Sequence, residues 1–139
     1  MAVFLNNNVG IKINTVDLSD HVKSVTLNRQ FDELEVTAMG DYSHRFVKGL
    51  ESSTLTLDFL NDDATASVLA TLQAAWGTSV PFTLLQTKGT AVSATNPLYT
   101  GQILVNKTTD INGAVGDIGT QSITFTINSV VTVATTGSF

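Results

Sequence analysis

The chain has 139 residues, a formal net charge of −5, 14% charged residues and no cysteine. That length suits a single domain, 1–139, around one continuous core. The absence of Cys removes disulfides, thiolate metal sites and cysteine nucleophiles together, and fits assembly in a reducing cytoplasm. Seven Lys and Arg, scattered from Lys12 to Lys107, are too few and too dispersed to grip nucleic acid by its phosphates.

The charged fraction falls well below the roughly 25% of an ordinary soluble domain. Ser and Thr, 32 in all, fill the gap and predict neutral outer faces rich in hydroxyls. Such faces lose less on burial against another subunit than faces covered in Lys and Glu. Residues 1–8 show neither a basic leader nor a long apolar run, and no later run approaches the roughly 20 apolar residues that span a bilayer. The expectation is a soluble protein with no membrane association, whose residues 1–8 and 134–139 are loose or ordered only on assembly.

Taken in chain order, the first elements are strands. Val9, Ile11 and Ile13 alternate with Gly10, Lys12 and Asn14, and Val25 and Leu27 alternate with Ser24, Thr26 and Asn28, the period of a half-buried strand. Residues 30–53 follow, with acids at Asp32, Glu33, Glu35, Asp41 and Glu51 and bases at Arg45 and Lys48. This stretch is too long for a plain turn in a compact domain. Residues 36–39 and 43–47, separated by Gly40-Asp41, are expected to pair as an extended hairpin projecting beyond the core. Leu55, Leu57 and Phe59 then alternate with Thr54, Thr56 and Asp58.

Asn61-Asp62-Asp63 next precedes Val68, Leu69, Leu72, Ala75 and Trp76 at helical spacing, predicting an amphipathic helix over about 63–76. Asn or Asp would cap its start and Gly77 would end it in the left-handed region. Leu69, Leu72 and Trp76 are expected to anchor it to the sheet. Phe82 and Leu84 read as another strand. Ile103-Leu104-Val105 reads as a strand covered on both sides. Ile123, Phe125 and Ile127 alternate with Ser122, Thr124 and Thr126, and a short last strand is expected over 130–133.

Catalytic chemistry finds no foothold. His21 and His44 are the only histidines, and no His-Glu-x-x-His run or Cys pair supplies converging metal ligands. Asp62-Asp63 lacks the alternating oxygen donors and terminal Glu of a calcium loop. There is no Gly-x-Ser-x-Gly elbow, and Gly113-Ala114-Val115-Gly116-Asp117 is followed by no Lys-Ser or Lys-Thr, so it reads as a turn. Neither enzyme activity, a cofactor nor a metal is expected.

The stretch Val16-Asp17-Leu18-Ser19-Asp20-His21-Val22, then Ser24-Val25-Thr26-Leu27, resembles the opening of siphophage major tail proteins, the tail tube proteins. The order that follows is similar as well: an acidic insertion with Thr37-Ala38-Met39-Gly40-Asp41, then Gly49-Leu50-Glu51-Ser52-Ser53-Thr54-Leu55, Asp58-Phe59-Leu60-Asn61-Asp62, one helix, Trp76-Gly77-Thr78, Asn96-Pro97-Leu98-Tyr99 and Gly116-Asp117.

The resemblance implies a mostly β fold, a β-sandwich or partly open barrel with one flanking helix. It also implies homo-hexameric rings stacked into a tail tube in the virion, assembled in the host cytoplasm and joined by tape measure, tail terminator and tail tip proteins. DNA would pass through during ejection without specific binding. In that setting Phe31, Asp32, Glu33, Glu35, Met39, Asp41, Tyr42, Arg45 and Phe46 are the expected contacts between rings. Thr54, Thr56, Asp58, Ser122, Thr124 and Thr126 are expected to line the lumen. Competing readings are an immunoglobulin-like or carbohydrate-binding surface module, and a capsid decoration or head-completion protein.

Overall fold

The computed structural model describes residues 8–139. The strands in chain order are β1 (Gly10–Ile13), β2 (Val16–Asp17), β3 (Val22–Asn28), β4 (Phe31–Glu35), β5 (Phe46–Glu51), β6 (Thr54–Leu60), β7 (Ser79–Leu85), β8 (Leu98–Leu104), β9 (Thr120–Ile127) and β10 (Thr132–Ala134), with a 3-10 turn over Ser19–His21 before β3 and one α-helix, α1 (Val68–Ala75), between β6 and β7. All pairs are antiparallel. The main sheet runs β2-β1-β7-β8-β9-β6-β3, with β10 added to β8, while β4 and β5 form a separate two-stranded sheet. The expected mostly β architecture is what the chain adopts.

Alternation decides which way each strand faces. Leu55, Leu57 and Phe59 of β6, Ile123, Phe125 and Ile127 of β9, Val80, Phe82 and Leu84 of β7, and Ile11 and Ile13 of β1 are all buried in one cluster. A single sheet can bury one face in this way only by curling over it. Val25 and Leu27, from the β3 edge, line the same groove of about 280 Å³ as Val9, Leu84 and Tyr99 from the other side of the sheet. Among the described residues no strand pairing joins the two sides across that groove, so the barrel stays open.

The helix is shorter than expected and starts at Val68 rather than near residue 63. The Asp62 carboxylate accepts the Ala64 amide at 2.9 Å and pairs with His21 Nε2 at 2.7 Å, and Ala66 has a left-handed φ of 60°. Asp62 therefore closes a turn and ties it to the segment before β3, and helical geometry begins only after Ser67. Val68, Thr71, Leu72 and Ala75 face the core, and Leu69 is half-buried. Gly77 has the expected positive φ, 75°.

Trp76 corrects the expectation of a buried anchor, since it is 55% exposed. Its φ of −53° and ψ of 127° are not helical, so the helical stripe stops one residue before it. The run Ile103-Leu104-Val105 is also not covered on both sides. Ile103 and Val105 are buried while Leu104 is half-buried on the outer face, because β8 keeps ordinary alternation beside β7 and β9. The last strand lies over Thr132–Ala134, two residues later than its expected start, because residues 128–131 form an irregular step between β9 and β10 in which Val131 donates its amide to Glu51.

Of the expected loose ends, residues 1–7 lie outside the described residues. Asn8 is tied to Lys88 by two hydrogen bonds. At the other end Ala134 pairs with Leu98, and the Phe139 ring lies against Gly10 and under Lys12 Nζ at 4.5 Å.

Candidate functional site

Two surfaces gather the residues singled out from sequence. The first is the ribbon over 30–53. Strands β3 and β6 pair Asn28 with Thr54 and Leu27 with Leu55. The Ser52 amide then bonds the Gln30 carbonyl, and Phe31 pairs with Glu51 in the same register. The hairpin is thus the β3–β6 ribbon carried past the edge of the sheet. Its strands are 31–35 and 46–51, not 36–39 and 43–47, because pairing begins at Phe31–Glu51 where the body's ribbon leaves the sheet and continues outward from there. Seven residues from Gln30 to Val36 at about 3.3 Å each make an arm of roughly 23 Å.

A bulge re-aims the arm halfway. Gly49 and Leu50 oppose the single residue Asp32, between the pairs Phe31–Glu51 and Glu33–Lys48. A Cβ at residue 49 would lie 2.9 Å from both Asp32 Cβ and the Asp32 carbonyl oxygen, so only glycine fits there. At the tip Gly40 has a φ of 91°, and the Asp41 carboxylate accepts the Ala38 amide at 2.8 Å. Gly40-Asp41 therefore sits at the reversal, as expected.

Alternation splits the arm into unlike faces. Leu34, Val36 and Val47 share one, with Leu34 opposite Val47. Phe31, Glu33, Glu35, Phe46 and Lys48 share the other, and Lys48 Nζ lies 5.5 Å above the Phe31 ring. At the tip Glu35 is hydrogen-bonded to His44 at 2.6 Å and Asp41 pairs with Arg45 at 3.6 Å. Every residue of β4 is exposed, and Met39 and Tyr42 at the tip are wholly so. Of the expected contact residues only Asp41 is partly covered, by its own turn.

The second surface is the outer face of the sheet. Register places Ser24, Asp58 and Ser122 in one row, Thr26, Thr56 and Thr124 in the next, and Asn28, Thr54 and Thr126 in a third. The residues expected to line a lumen therefore stand together as a grid, with rows about 7 Å apart and columns about 4.8 Å apart. Thr56 and Thr124 are bonded across it at 3.0 Å. The outward positions of β7 and β8 extend the same chemistry with Ser79, Thr83, Thr100 and Gln102. Along the outward faces of β6, β7, β8 and β9, Asp58 is the only charged side chain. Its Oδ1 is buried and finds no hydrogen-bond partner among the described residues.

Among the described residues no three His, Cys, Asp or Glu side chains converge as metal ligands. His21 and His44 are each paired with a carboxylate, Asp62 and Glu35. Tyr42, Trp76 and Tyr99 do not assemble into an aromatic platform: they sit at the arm tip, the helix end and the interior groove.

Sequence reasoning missed a third feature, the loop over 106–119. Ile111 is 95% exposed, Val115 106% and Ile118 72%, yet the loop's base is held by side-chain amides, one of them buried. Gln121, 2% exposed, donates to Asn61 Oδ1 at 2.8 Å and accepts the Thr109 amide at 3.0 Å. The available signal was three aliphatic residues in a Gly-rich turn, which turn chemistry does not require. No family model matches the chain, and no curated protein matches it.

Proposed function

We propose that this chain is a structural protein of a phage tail that assembles with copies of itself into stacked rings, the tube through which DNA leaves the capsid. The observation that carries the reading is the arm. A ribbon of roughly 23 Å presenting Leu34, Met39, Tyr42 and Phe46 to solvent has no use in a monomer and is an aggregation liability unless another surface covers it. A bulge and a required glycine make it a built feature.

The outer face supports the same reading from a different direction. Along β6, β7, β8 and β9 a wall of hydroxyls and amides, with Asp58 as its one charge, offers a passing phosphate polymer almost no counterion-release energy. We assign Thr54, Thr56, Asp58, Ser122, Thr124 and Thr126 to the lumen on that ground. Electron microscopy of the purified protein tests the function: rings and tubes are expected. Monodisperse small particles would favour a surface-binding module, and attachment to capsids alone a decoration or head-completion protein.

A further inference from the structure

We propose that the loop over 106–119 is the acceptor into which a second copy inserts the tip of its arm. This rests on the self-assembly reading above and adds its partner surface and direction.

The loop is held to the body of the fold. Asn61 donates its backbone amide to the Gly119 carbonyl at 2.9 Å and its side-chain amide to the Thr109 and Thr120 carbonyls at 3.3 and 3.4 Å. Gln121 closes the ring between Asn61 and Thr109, and Asn112 Nδ2 bonds the Thr120 carbonyl at 2.9 Å. A buried Gln121, a half-buried Asn61 and an exposed Asn112 together tie the loop to the body at both ends. What the loop displays is aliphatic, with Ile111, Val115 and Ile118 standing in water. A merely solvated turn would carry polar residues there.

Topology supplies the direction. The arm leaves the sheet at Asn28 and Thr54, whereas the loop is pinned at Asn61 and Thr120, beyond the far ends of β6 and β9. The seven residues of β6 separate the two by about 20 Å, and the arm points away from the loop. Met39 and Tyr42 therefore cannot reach Val115 of their own chain. A neighbour displaced along the strand direction brings its arm tip to this loop. Each copy then uses one surface as donor and a different one as acceptor. Such a heterologous contact closes a ring only if its rotation does; displaced along the strand direction it repeats as a stack, while an arm-to-arm contact would close a dimer and stop.

The cysteine-free chain makes the test clean. Met39→Cys and Val115→Cys are made as separate single variants of the full chain and as the double variant, then assembled and oxidised. The double variant should give a ladder of covalent multimers. Mixing the singles should give only a dimer of the two different chains, and neither single should cross-link with itself. Met39-to-Met39 dimers overturn the proposal in favour of arm-to-arm pairing. Tubes or rings that form without any 39-to-115 bond overturn the acceptor while leaving self-assembly intact. A protein that never assembles overturns both. As a second readout, Val115→Asp should weaken assembly roughly tenfold or more by placing a charge in an apolar contact, with an unchanged thermal melt of the dissociated chain. Undiminished assembly of Val115→Asp would count against the acceptor.

Discussion

Strands β5 and β6 follow one another with two residues between them, share a ribbon register and are both apolar at intervals, yet they live in different surroundings. In β6 the alternate residues Leu55, Leu57 and Phe59 have no solvent exposure, because β3 and β9 flank them and the curled sheet closes over them. In β5 Phe46, Val47 and Leu50 are 54, 47 and 81% exposed, because the ribbon has left the sheet behind. Backbone pairing holds the arm together while its apolar side chains stand in water; under the proposed function, a second copy is what covers them. The body is built to fold, and the arm is built to be covered.

Core truncation should break the comparison from the β6 side. Phe59→Ala or Phe125→Ala, both without exposure, should destabilise the dissociated chain by about 3 to 5 kcal/mol, a large part of a small domain's stability. The same change at Phe46 should leave a denaturant melt almost unmoved while reducing assembly. Equal losses at both sites would mean that the arm packs on its own chain.

The amide clamp comes next in size. Gln121→Ala leaves Asn61 Oδ1 and the Thr109 amide without their partner and should cost about 1 to 3 kcal/mol, with faster hydrogen exchange at the Thr109 amide. Trp76→Ala, at a half-exposed position past the helix end, should cost less than about 1 kcal/mol, in the range of ordinary surface changes. A loss near that of Phe59→Ala would restore Trp76 as an anchor.

The smallest expected effect is electrostatic. Burial pushes the Asp17 carboxyl up, but hydrogen bonds from Ser19 and Lys88 and the Lys88 charge outweigh it and hold it below its ordinary value. Lys88 is raised by the same pair, at 2.9 Å. A depressed carboxylate contributes stability that is present above its unfolded value near 3.8 and is lost as pH falls through the folded one. Lys88→Met should therefore flatten the acid limb of a stability–pH curve measured below that value, by a small amount because both side chains are about a third exposed. An unaltered acid limb would remove this pair from the account.

Sequence alternation made most of the sheet legible, since a period of two assigns inward and outward residues wherever one face is buried. The polar grid was readable for the same reason: Thr54-x-Thr56 and Thr124-x-Thr126 had to share a face once their strands paired. The arm's existence was legible from its length, but its strand limits were not. They follow from where the β3–β6 ribbon leaves the sheet, a tertiary fact. Helix length failed because Asp62 looks like a cap and serves a turn with Ala64 and His21 instead. The loop over 106–119 was missed because the residues that pin it, Asn61 and Gln121, are distant in sequence and ordinary in kind.

The most direct test of the central claim replaces residues 30–53 with a short Gly-containing turn joining β3 to β6. The shortened chain should stay soluble, keep its β-rich circular dichroism and melt cooperatively, since no core residue other than the small Ser53 lies in that stretch. It should form no tubes under conditions where the full chain does. Long tubes from the shortened chain would contradict the account, because the arm would then not be what joins one copy to the next.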